Sequence, residues 1–336
     1  MGIMTVLVRA AALTNYAQVA QRTGLDPNRM LHSVGLDRRA LANPDLRVAA
    51  EKVAALLEKS ERDSHCLTFG LQMAESRRLS DFGALSLLLT HQRTMREVLT
   101  TTIEYLHVLN ESLALTIEDS GELVIVREEI VTARALRQAT ELAVGVLFRM
   151  FRTVLGPRWK PYSVNFVHAA PPDLSVHRRV FGTTPVFGAE FSGIVCEGRD
   201  LDRPNPSADP EMARYAKQFV EAMPGASRRS IVQEVKKAIY LLLPQGRATI
   251  EQVAAGLGVN VRALQRQLSA AGEVYSDLLD DVRQDLAERY LENDAHSITE
   301  IGAMLGFSHS SAFSRWYRSQ FGVPPANARK RRDKRP

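Results

Sequence analysis

Residues 297–307 read SITEIGAMLGF, and residues 249–258 read TIEQVAAGLG. Both stretches begin with the pattern Ser/Thr-x-x-Glu/Gln, in which the first side chain caps the start of a helix. Apolar residues follow at matching positions, and each stretch then reaches a glycine, Gly258 or Gly306. Glycine adopts the left-handed conformation of a sharp helix end at little cost. This internal repeat predicts two helix-turn-helix units.

A second amphipathic helix is predicted after each glycine, over 260–270 and over 308–320. No acidic residue lies between Glu251 and Glu273 or between Glu300 and Asp333, so nothing there would repel phosphate. An arginine can contact guanine and a glutamine can contact adenine through paired hydrogen bonds, each pair adding about 1–3 kcal/mol of base discrimination. The side chains predicted to contact DNA are Arg262, Gln265, Arg266, Ser310, Ser311, Ser314, Arg315 and Arg318.

A longer helix is predicted between the two units, over 275–291, because Leu278, Val282, Leu286 and Tyr290 repeat every four residues. Such a helix spans roughly 25 Å. It could hold the two recognition helices about 34 Å apart, which is the spacing of successive major-groove segments on one face of B-DNA. One chain could then read two adjacent segments.

The region 230–330 resembles the DNA-binding domain of the AraC/XylS transcription regulators. The resemblance rests on 298–307, on the sequence SAFSR at 311–315, on Phe321-Gly322 and Pro325, and on the linker sequence DVRQDLA at 281–287. It implies two helix-turn-helix units joined by a linker helix, with double-stranded promoter DNA as the partner. The sequence departs from the family at Ala328, where the closing pattern carries a tyrosine. His309 is interpreted as a helix-start residue.

The N-terminal part is predicted to be mixed α and β. Helical periodicity covers 47–63, 94–109 and 133–155, and alternating strands at 112–118 and 122–128 flank the turn Asp119-Ser120-Gly121. Further strands are predicted at 162–168 and 191–196, giving a sheet of four or more strands. Pro185-Val186-Phe187 and the Pro204-x-Pro206 pair resemble the arabinose-binding-like effector domain of some of these regulators, which does not imply that arabinose is the ligand.

The predicted fold is therefore an α+β N-terminal effector domain followed by an all-α DNA-binding domain. The strand signals end at a proline-rich segment, 200–210, and a helix is predicted at 211–222. The predicted divisions are an effector domain at 1–208, a connector at 209–229, a DNA-binding domain at 230–330 and a basic tail at 331–336.

Composition argues against several other classes of protein. The net charge of +5 is fully accounted for by 329–335, so it says little about the rest of the chain. Cys66 and Cys196 form no paired motif, and the histidines lack metal-ligand spacing. The sequence contains no H-E-x-x-H motif, no G-x-S-x-G motif and no phosphate-binding loop. No enzyme activity, metal or cofactor is expected, and Glu128-Glu129 is interpreted as solvated charge.

The most apolar stretch, 141–156, contains Arg149 and Arg152, whereas a membrane span needs roughly 20 nearly uncharged residues. The apolar stretch 3–8 has no basic leader and ends at Arg9, so no secretory signal is expected. A cytoplasmic location is the resulting prediction, with association with the nucleoid when the protein is bound to DNA.

The predicted function is sequence-specific control of bacterial transcription by a homodimer, with a small-molecule effector in the N-terminal domain and RNA polymerase as a further partner. The sequence identifies neither the effector nor the operator. It also does not tell whether the protein activates or represses transcription. Two alternatives stay open. An enzyme fused to a DNA-binding domain would need a reactive cysteine or metal cluster before residue 228. A dimerisation or docking module without a ligand would lack the apolar, enclosed cavity that favours sensing.

Overall fold

The computed structural model describes residues 5–132, 136–223, 225–226, 229–291 and 296–332. The chain divides into two compact units. The first comprises Met1–Ile130 and Leu136–Arg228, and the second comprises Val131–Ala135 and Arg229–Pro336. The first unit mixes helices and strands and the second is helical, so the predicted fold class is confirmed.

The first unit contains seven strands and eleven helices among its described residues. The strands are β1 (Leu7–Arg9), β2 (Arg47–Ala49), β3 (Leu113–Asp119), β4 (Leu123–Ile130), β5 (Ser163–Phe166), β6 (Val186–Phe187) and β7 (Ser192–Glu197). The helices are α1 (Tyr16–Arg22), α2 (Pro27–Ser33), α3 (Arg39–Ala42), α4 (Ala50–Ser64), α5 (Phe69–Ala74), α6 (Leu85–Thr90), α7 (Met95–Leu109), α8 (Arg137–Leu155), α9 (Ser175–Phe181), α10 (Gly198–Leu201) and α11 (Pro210–Glu221). Short 3-10 helices cover Ala10–Leu13 and Leu79–Phe82.

The main sheet has five strands in the order β3-β4-β7-β5-β6, and β1 pairs with β2 in a separate antiparallel ribbon. Within the main sheet β5 and β6 are parallel, and the other neighbours are antiparallel. The predicted hairpin is β3-β4, whose turn is closed by the Asp119 carboxylate accepting the Gly121 N–H at 2.9 Å. The sheet thus has the four or more strands that the sequence predicts.

Helix α8 lies at the centre of the first unit. Val144, Phe148 and Phe151 on α8 belong to a hydrophobic cluster with the sheet, and Leu142 belongs to a second cluster with α1, α2 and α4. Helix α5 packs closely on α8 because glycines stand at the contact. A Cβ on Gly70 would lie 2.0 Å from the Gln138 carbonyl oxygen.

The longer predicted elements lie close to their predicted positions. The predicted helix over 47–63 is β2 followed by α4. The helix predicted from Ala133 begins at Arg137, after the non-helical Leu136, and residues 133–135 fall outside the described residues. The helix predicted over 211–222 is α11, which begins at the Asp209 cap. Ala216 and Val220 of α11 are buried in the larger cluster of the first unit.

The second unit consists of seven helices among its described residues. They are α12 (Ile231–Leu242), α13 (Ile250–Gly256), α14 (Val261–Ala270), α15 (Tyr275–Leu291), α16 (Ile298–Met304), α17 (Ser310–Phe321) and α18 (Pro325–Arg332). A 3-10 turn, Leu243–Gln245, follows α12. Helix α18 reaches into the predicted basic tail, and the tail residues 333–336 lie outside the described part of the chain. The hydrophobic core of this unit contains residues from each of the helices α12 to α17.

Candidate functional site

The first helix-turn-helix unit is formed by α13 and α14. The Thr249 hydroxyl accepts the Gln252 N–H at 3.3 Å and caps α13. The Thr249 N–H donates to the Arg247 carbonyl at 2.9 Å, so the predicted capping box is only half formed. Gly258 ends the helix with φ of +69°, and the Asn260 side chain accepts the Ala263 N–H at 2.8 Å to start α14.

The second unit is formed by α16 and α17, and its capping box is complete. The Ser297 hydroxyl accepts the Glu300 N–H at 3.2 Å, and the Glu300 carboxylate accepts the Ser297 N–H at 2.6 Å. Gly306 has φ of +77°, so both repeat glycines adopt the predicted left-handed conformation. His309 occupies the position before α17 and makes no capping bond with its side chain.

The two turns differ in length by one residue. Residues 257–260 separate α13 from α14, whereas 305–309 separate α16 from α17. Equivalent residues of the two units are therefore 48 positions apart before the turn and 49 positions apart after it. Leu264 and Phe313, both fully buried, then occupy equivalent positions. Arg266 and Arg315, each two residues further along, are structural counterparts.

The predicted DNA-contacting side chains lie on the outer faces of α14 and α17. All of them are exposed except Ser314, which is half-buried. Within the described part of the chain, none of the eight has a side-chain hydrogen bond or an ion pair. Their donors are therefore available to an outside acceptor such as a phosphate oxygen or a base edge. The first face carries Arg262, Gln265 and Arg266, while the second offers shorter serines beside Arg315 and Arg318.

Helix α15 joins the two units over the range that the sequence predicts, with Leu278, Val282 and Leu286 buried. It is tied to α12 by an ion pair between Lys236 and Asp281 of 2.8 Å. The Tyr240 hydroxyl also donates a hydrogen bond to Asp285. These contacts fix the linker helix against the core of the unit.

Arg283 on α15 holds the turn of the second unit, a role that sequence reasoning missed. Its Nε donates to the Leu305 carbonyl at 3.1 Å, and its guanidinium lies 4.9 Å from the centre of the Phe307 ring. Leu305 and Phe307 flank the turn glycine. Arg283 therefore satisfies a free carbonyl at the end of α16 and covers the turn from one side. The only sequence signal was its place in the family-like linker segment.

The first unit contains an apolar cavity of about 180 Å³, which the sequence analysis did not locate. It lies between α4, α7, α8 and the β1 region, at the junction of the two hydrophobic clusters. Small side chains create the space. The alanines lining it are Ala11, Ala12, Ala50, Ala54, Ala139 and Ala143.

A few polar side chains also line this cavity. Arg77 is buried, and its Nη1 and Nη2 donate to the Ala11 and Ala12 carbonyls at 2.5 and 2.6 Å. The other polar residues of the lining are Arg9, Arg78, Asp81, Asn110 and Ser112.

Glu128 contradicts its interpretation as solvated charge. It lies on β4 in the same alternation as the buried Val124 and Val126, and it is 3% exposed. Burial, reinforced by the charge of Glu129, raises the pKa of Glu128 to about 8. The prediction was wrong because Glu128 stands opposite Ser192 of β7 in the strand register, inside the sheet. Local sequence does not reveal this neighbour.

Among the residues the structure describes, no helix has both the length and the apolar character needed to span a lipid bilayer.

The family model of the N-terminal arabinose-binding domain of AraC transcription regulators matches residues 24–205, and a helix-turn-helix domain model matches residues 233–331.

Two similar proteins have names that describe regulators. The HTH-type transcriptional regulator VirS of Mycobacterium tuberculosis is 29% identical over 327 residues, covering 96% of each chain. The ornithine utilization regulator of Pseudomonas aeruginosa is 26% identical over 264 residues, covering 77% of this chain and 78% of its own. The crystal structure of transcriptional regulator CdpR from Pseudomonas aeruginosa has 20% identity and a TM-score of 0.42, covering 93% of this chain and 98% of that one.

Proposed function

The chain belongs to the AraC transcription regulators with an arabinose-binding-type N-terminal domain, and from that premise we propose how it recognises DNA and what controls it. It is a DNA-binding transcription regulator. In our proposal α14 and α17 enter two adjacent major-groove segments of a promoter. The contacts are made by Arg262, Gln265, Arg266, Ser310, Ser311, Ser314, Arg315 and Arg318.

The observation that carries this proposal is the equivalence of Arg266 and Arg315. Each lies two residues beyond a buried anchor and has no partner within the described part of the chain. A guanidinium held on a rigid helix and left unpaired can present its fork to guanine. The acid-free sequence around both helices keeps repulsion of phosphate low.

We assign effector sensing to residues 1–208, with 209–229 as the connector and 230–330 as the DNA-binding domain. The apolar cavity supports sensing over a purely structural N-terminal domain, because apolar lining with a few polar groups is typical of small-molecule sites. A ligand that fits one conformation of this domain better than another would shift the population competent for DNA binding.

The active form is proposed to be a cytoplasmic homodimer that associates with the nucleoid and contacts RNA polymerase at the promoter. An apolar stripe on α11 supports self-association, since Met212, Tyr215 and Phe219 are 46%, 56% and 58% exposed on one helical face. A second copy of the chain could cover this stripe.

We further propose that the protein catalyses no reaction. A fused enzyme with a cysteine nucleophile would need that cysteine as thiolate, which is the reactive form. Burial raises the pKa of the Cys196 thiol to about 12, so this cysteine stays protonated at neutral pH. The similar proteins named above are regulators.

The test is selection of DNA duplexes from a random pool by the full chain, followed by footprinting on the selected sequence. We expect two protected segments about one helical turn apart, and an affinity that falls steeply as salt rises. The double variant Arg266→Ala/Arg315→Ala should lose the preference for the selected sequence over random DNA. Selection of no consensus, or an unchanged preference in the double variant, would overturn the assignment of these helices.

A further inference from the structure

We propose that the cavity of the first unit binds a compact organic acid, a molecule with an apolar body and one carboxylate, and not a sugar. This inference rests on the proposed effector control and names the chemical class of the effector. The size of the cavity, the chemistry of its walls and the buried charge of Arg77 each limit the ligand.

The volume limits the size of the ligand. An engineered protein cavity of about 150 Å³ accommodates benzene, and this cavity measures about 180 Å³. A molecule of about eight to ten non-hydrogen atoms therefore fits. Benzoate and hexanoate lie in that range, whereas a long-chain lipid does not.

The walls select against a sugar. Most of the lining is aliphatic, and the six alanines present only methyl groups. Asn110 and Ser112 already bond to each other, because the side-chain Oδ1 of Asn110 accepts the Ser112 N–H at 2.9 Å and the Ser112 hydroxyl at 2.7 Å. Buried hydroxyls without partners lose the hydrogen bonds that water gave them. A ring with several hydroxyls would meet that penalty here.

Arg77 in the lining favours a negatively charged ligand. Arg9 is paired with Asp45 at 2.6 Å, but the nearest carboxylate oxygen to Arg77 belongs to Asp81, at 3.9 Å. The other bonds of Arg77 go to uncharged carbonyls, and its Nε has no partner among the described residues. A buried cation without a close counter-ion is costly, and a ligand carboxylate would supply one.

Burial lowers the pKa of Arg77 to about 10, which agrees with a cation that lacks a full counter-charge. Arg62 on α4 is exposed and does not line the cavity. Arg77 and Arg62 therefore form a pair for testing the charge of the cavity wall. Ala54 and Ala55 on α4 form another pair, because Ala54 lines the cavity and Ala55 faces solvent.

The experiment is calorimetric titration of the full chain with benzoate and hexanoate, with their neutral amides benzamide and hexanamide, and with L-arabinose. We expect each acid to bind at least about tenfold more tightly than its amide, and arabinose not to bind. Ala54→Leu should abolish binding of the acids, and Ala55→Leu should leave it unchanged. Arg77→Gln should bring the acid and the amide to equal affinity, whereas Arg62→Gln, outside the cavity, should preserve the difference.

Ala143→Leu, which fills the cavity from the opposite helix, serves where Ala54→Leu fails to fold. If Arg77→Gln fails to fold, the acid-to-amide ratio of the wild-type protein decides. The inference is wrong if no acid binds, if amides bind as tightly as acids, if arabinose binds and Ala54→Leu abolishes it, or if both filling variants bind the acids normally.

Affinity for the selected DNA, measured alongside, separates this inference from the proposed function. DNA binding without acid binding would refute the ligand class alone. Acid binding with the expected variant pattern, but without any effect on DNA affinity or transcription, would uphold the site and refute effector control.

Discussion

The carboxylate of Glu58 on α4 accepts a hydrogen bond of 2.7 Å from the backbone N–H of Gln138, the second residue of α8 and 80 positions further along the chain. The same oxygen lies 3.4 Å from the N–H of Ala139. Leu136, which precedes α8, provides no side-chain cap. The first turn of the central helix is therefore capped by a residue of another helix.

This cap should make the stability of the first unit depend on pH. Burial raises the pKa of Glu58 to about 7 from its ordinary value of 4.5, so between those values the folded state binds more protons than the unfolded state. The free energy of unfolding should therefore fall as pH rises from about 5 to about 7, by on the order of 1–3 kcal/mol. Glu58→Gln, which keeps an acceptor oxygen, should remove this part of the slope.

The measurement is urea unfolding followed by tryptophan fluorescence. The protein has two tryptophans, Trp159 in the first unit and Trp316 in the second, so Trp316→Phe leaves Trp159 as a reporter of the first unit alone. A pH slope that is the same with and without Glu58→Gln would contradict the assigned role.

Glu128 extends the same dependence to higher pH. Its Oε1 has no hydrogen-bond partner in the described structure. Its pKa is about 8 instead of the ordinary 4.5, so the free energy of unfolding should fall as pH rises between those two values. At pH 9 Glu128→Gln should be more stable than the wild type by on the order of 2 kcal/mol, and the difference should shrink toward pH 6. Glu122→Gln, at an exposed position in the turn between β3 and β4, is the control and should leave the pH profile nearly unchanged. An equal effect of both variants would show that burial of Glu128 is not the cause.

Replacing glycine by alanine should have opposite effects on stability in α8 and in α13. A Cβ on Gly145 would lie 2.5 Å from the Cβ of Ala74, so Gly145→Ala should destabilise the first unit by about 1–3 kcal/mol through overpacking. Gly256 in α13 meets nothing within 4 Å. Gly256→Ala should stabilise the second unit by about 0.5–1 kcal/mol, because alanine loses less backbone entropy in a helix. Thermal unfolding of both variants checks the sign, and destabilisation by both would refute the packing argument.

Arg283→Lys should loosen the turn of the second unit. Lysine keeps the charge but cannot reproduce the guanidinium contacts with the Leu305 carbonyl and the Phe307 ring, so a loss of about 1–2 kcal/mol is expected. Trp316 reports it directly, since its ring lies 5.3 Å from that of Phe307, in a Trp159→Phe background. Arg262→Lys, at an exposed site, should not change stability, and equal losses in both variants would argue against the turn contact.

Arg266→Ala and Arg315→Ala should each weaken binding to the selected DNA by about 1–3 kcal/mol, with the fold intact. Both side chains are exposed, so removing them leaves no cavity. Arg29→Ala on the exposed face of α2 is the matched control and should bind normally. Electrophoretic mobility shifts at several salt concentrations measure the affinities. Loss of specific and random binding to the same extent would mean that these arginines contact phosphates only.

Much of the second unit could be predicted because its signals are local. Helix caps, turn glycines and apolar spacing are set by neighbouring residues, and the linker helix lies over the predicted range. The eight DNA-contacting residues stay a prediction. The equivalence of Arg266 and Arg315 was missed, because the extra residue in the second turn shifts the repeat only after Gly306.

The first unit was harder to predict because its decisive contacts join distant parts of the chain. The short helices α1, α2, α5 and α9 are held by packing more than by periodicity, and Gly70 and Gly145 matter only once α5 and α8 meet. Glu128 looks like surface charge until β7 covers it. The cavity arises from alanines on helices far apart in sequence, and no local pattern marks empty space.

The exposed faces of α14 and α17 carry different side chains, so the DNA-binding unit is asymmetric. If the two helices read neighbouring segments, one half of the target is specified by long side chains only, and the other mainly by serine hydroxyls beside Arg315 and Arg318. A single chain therefore fits its target in one orientation, and reversing the site relative to the gene would turn the whole molecule around.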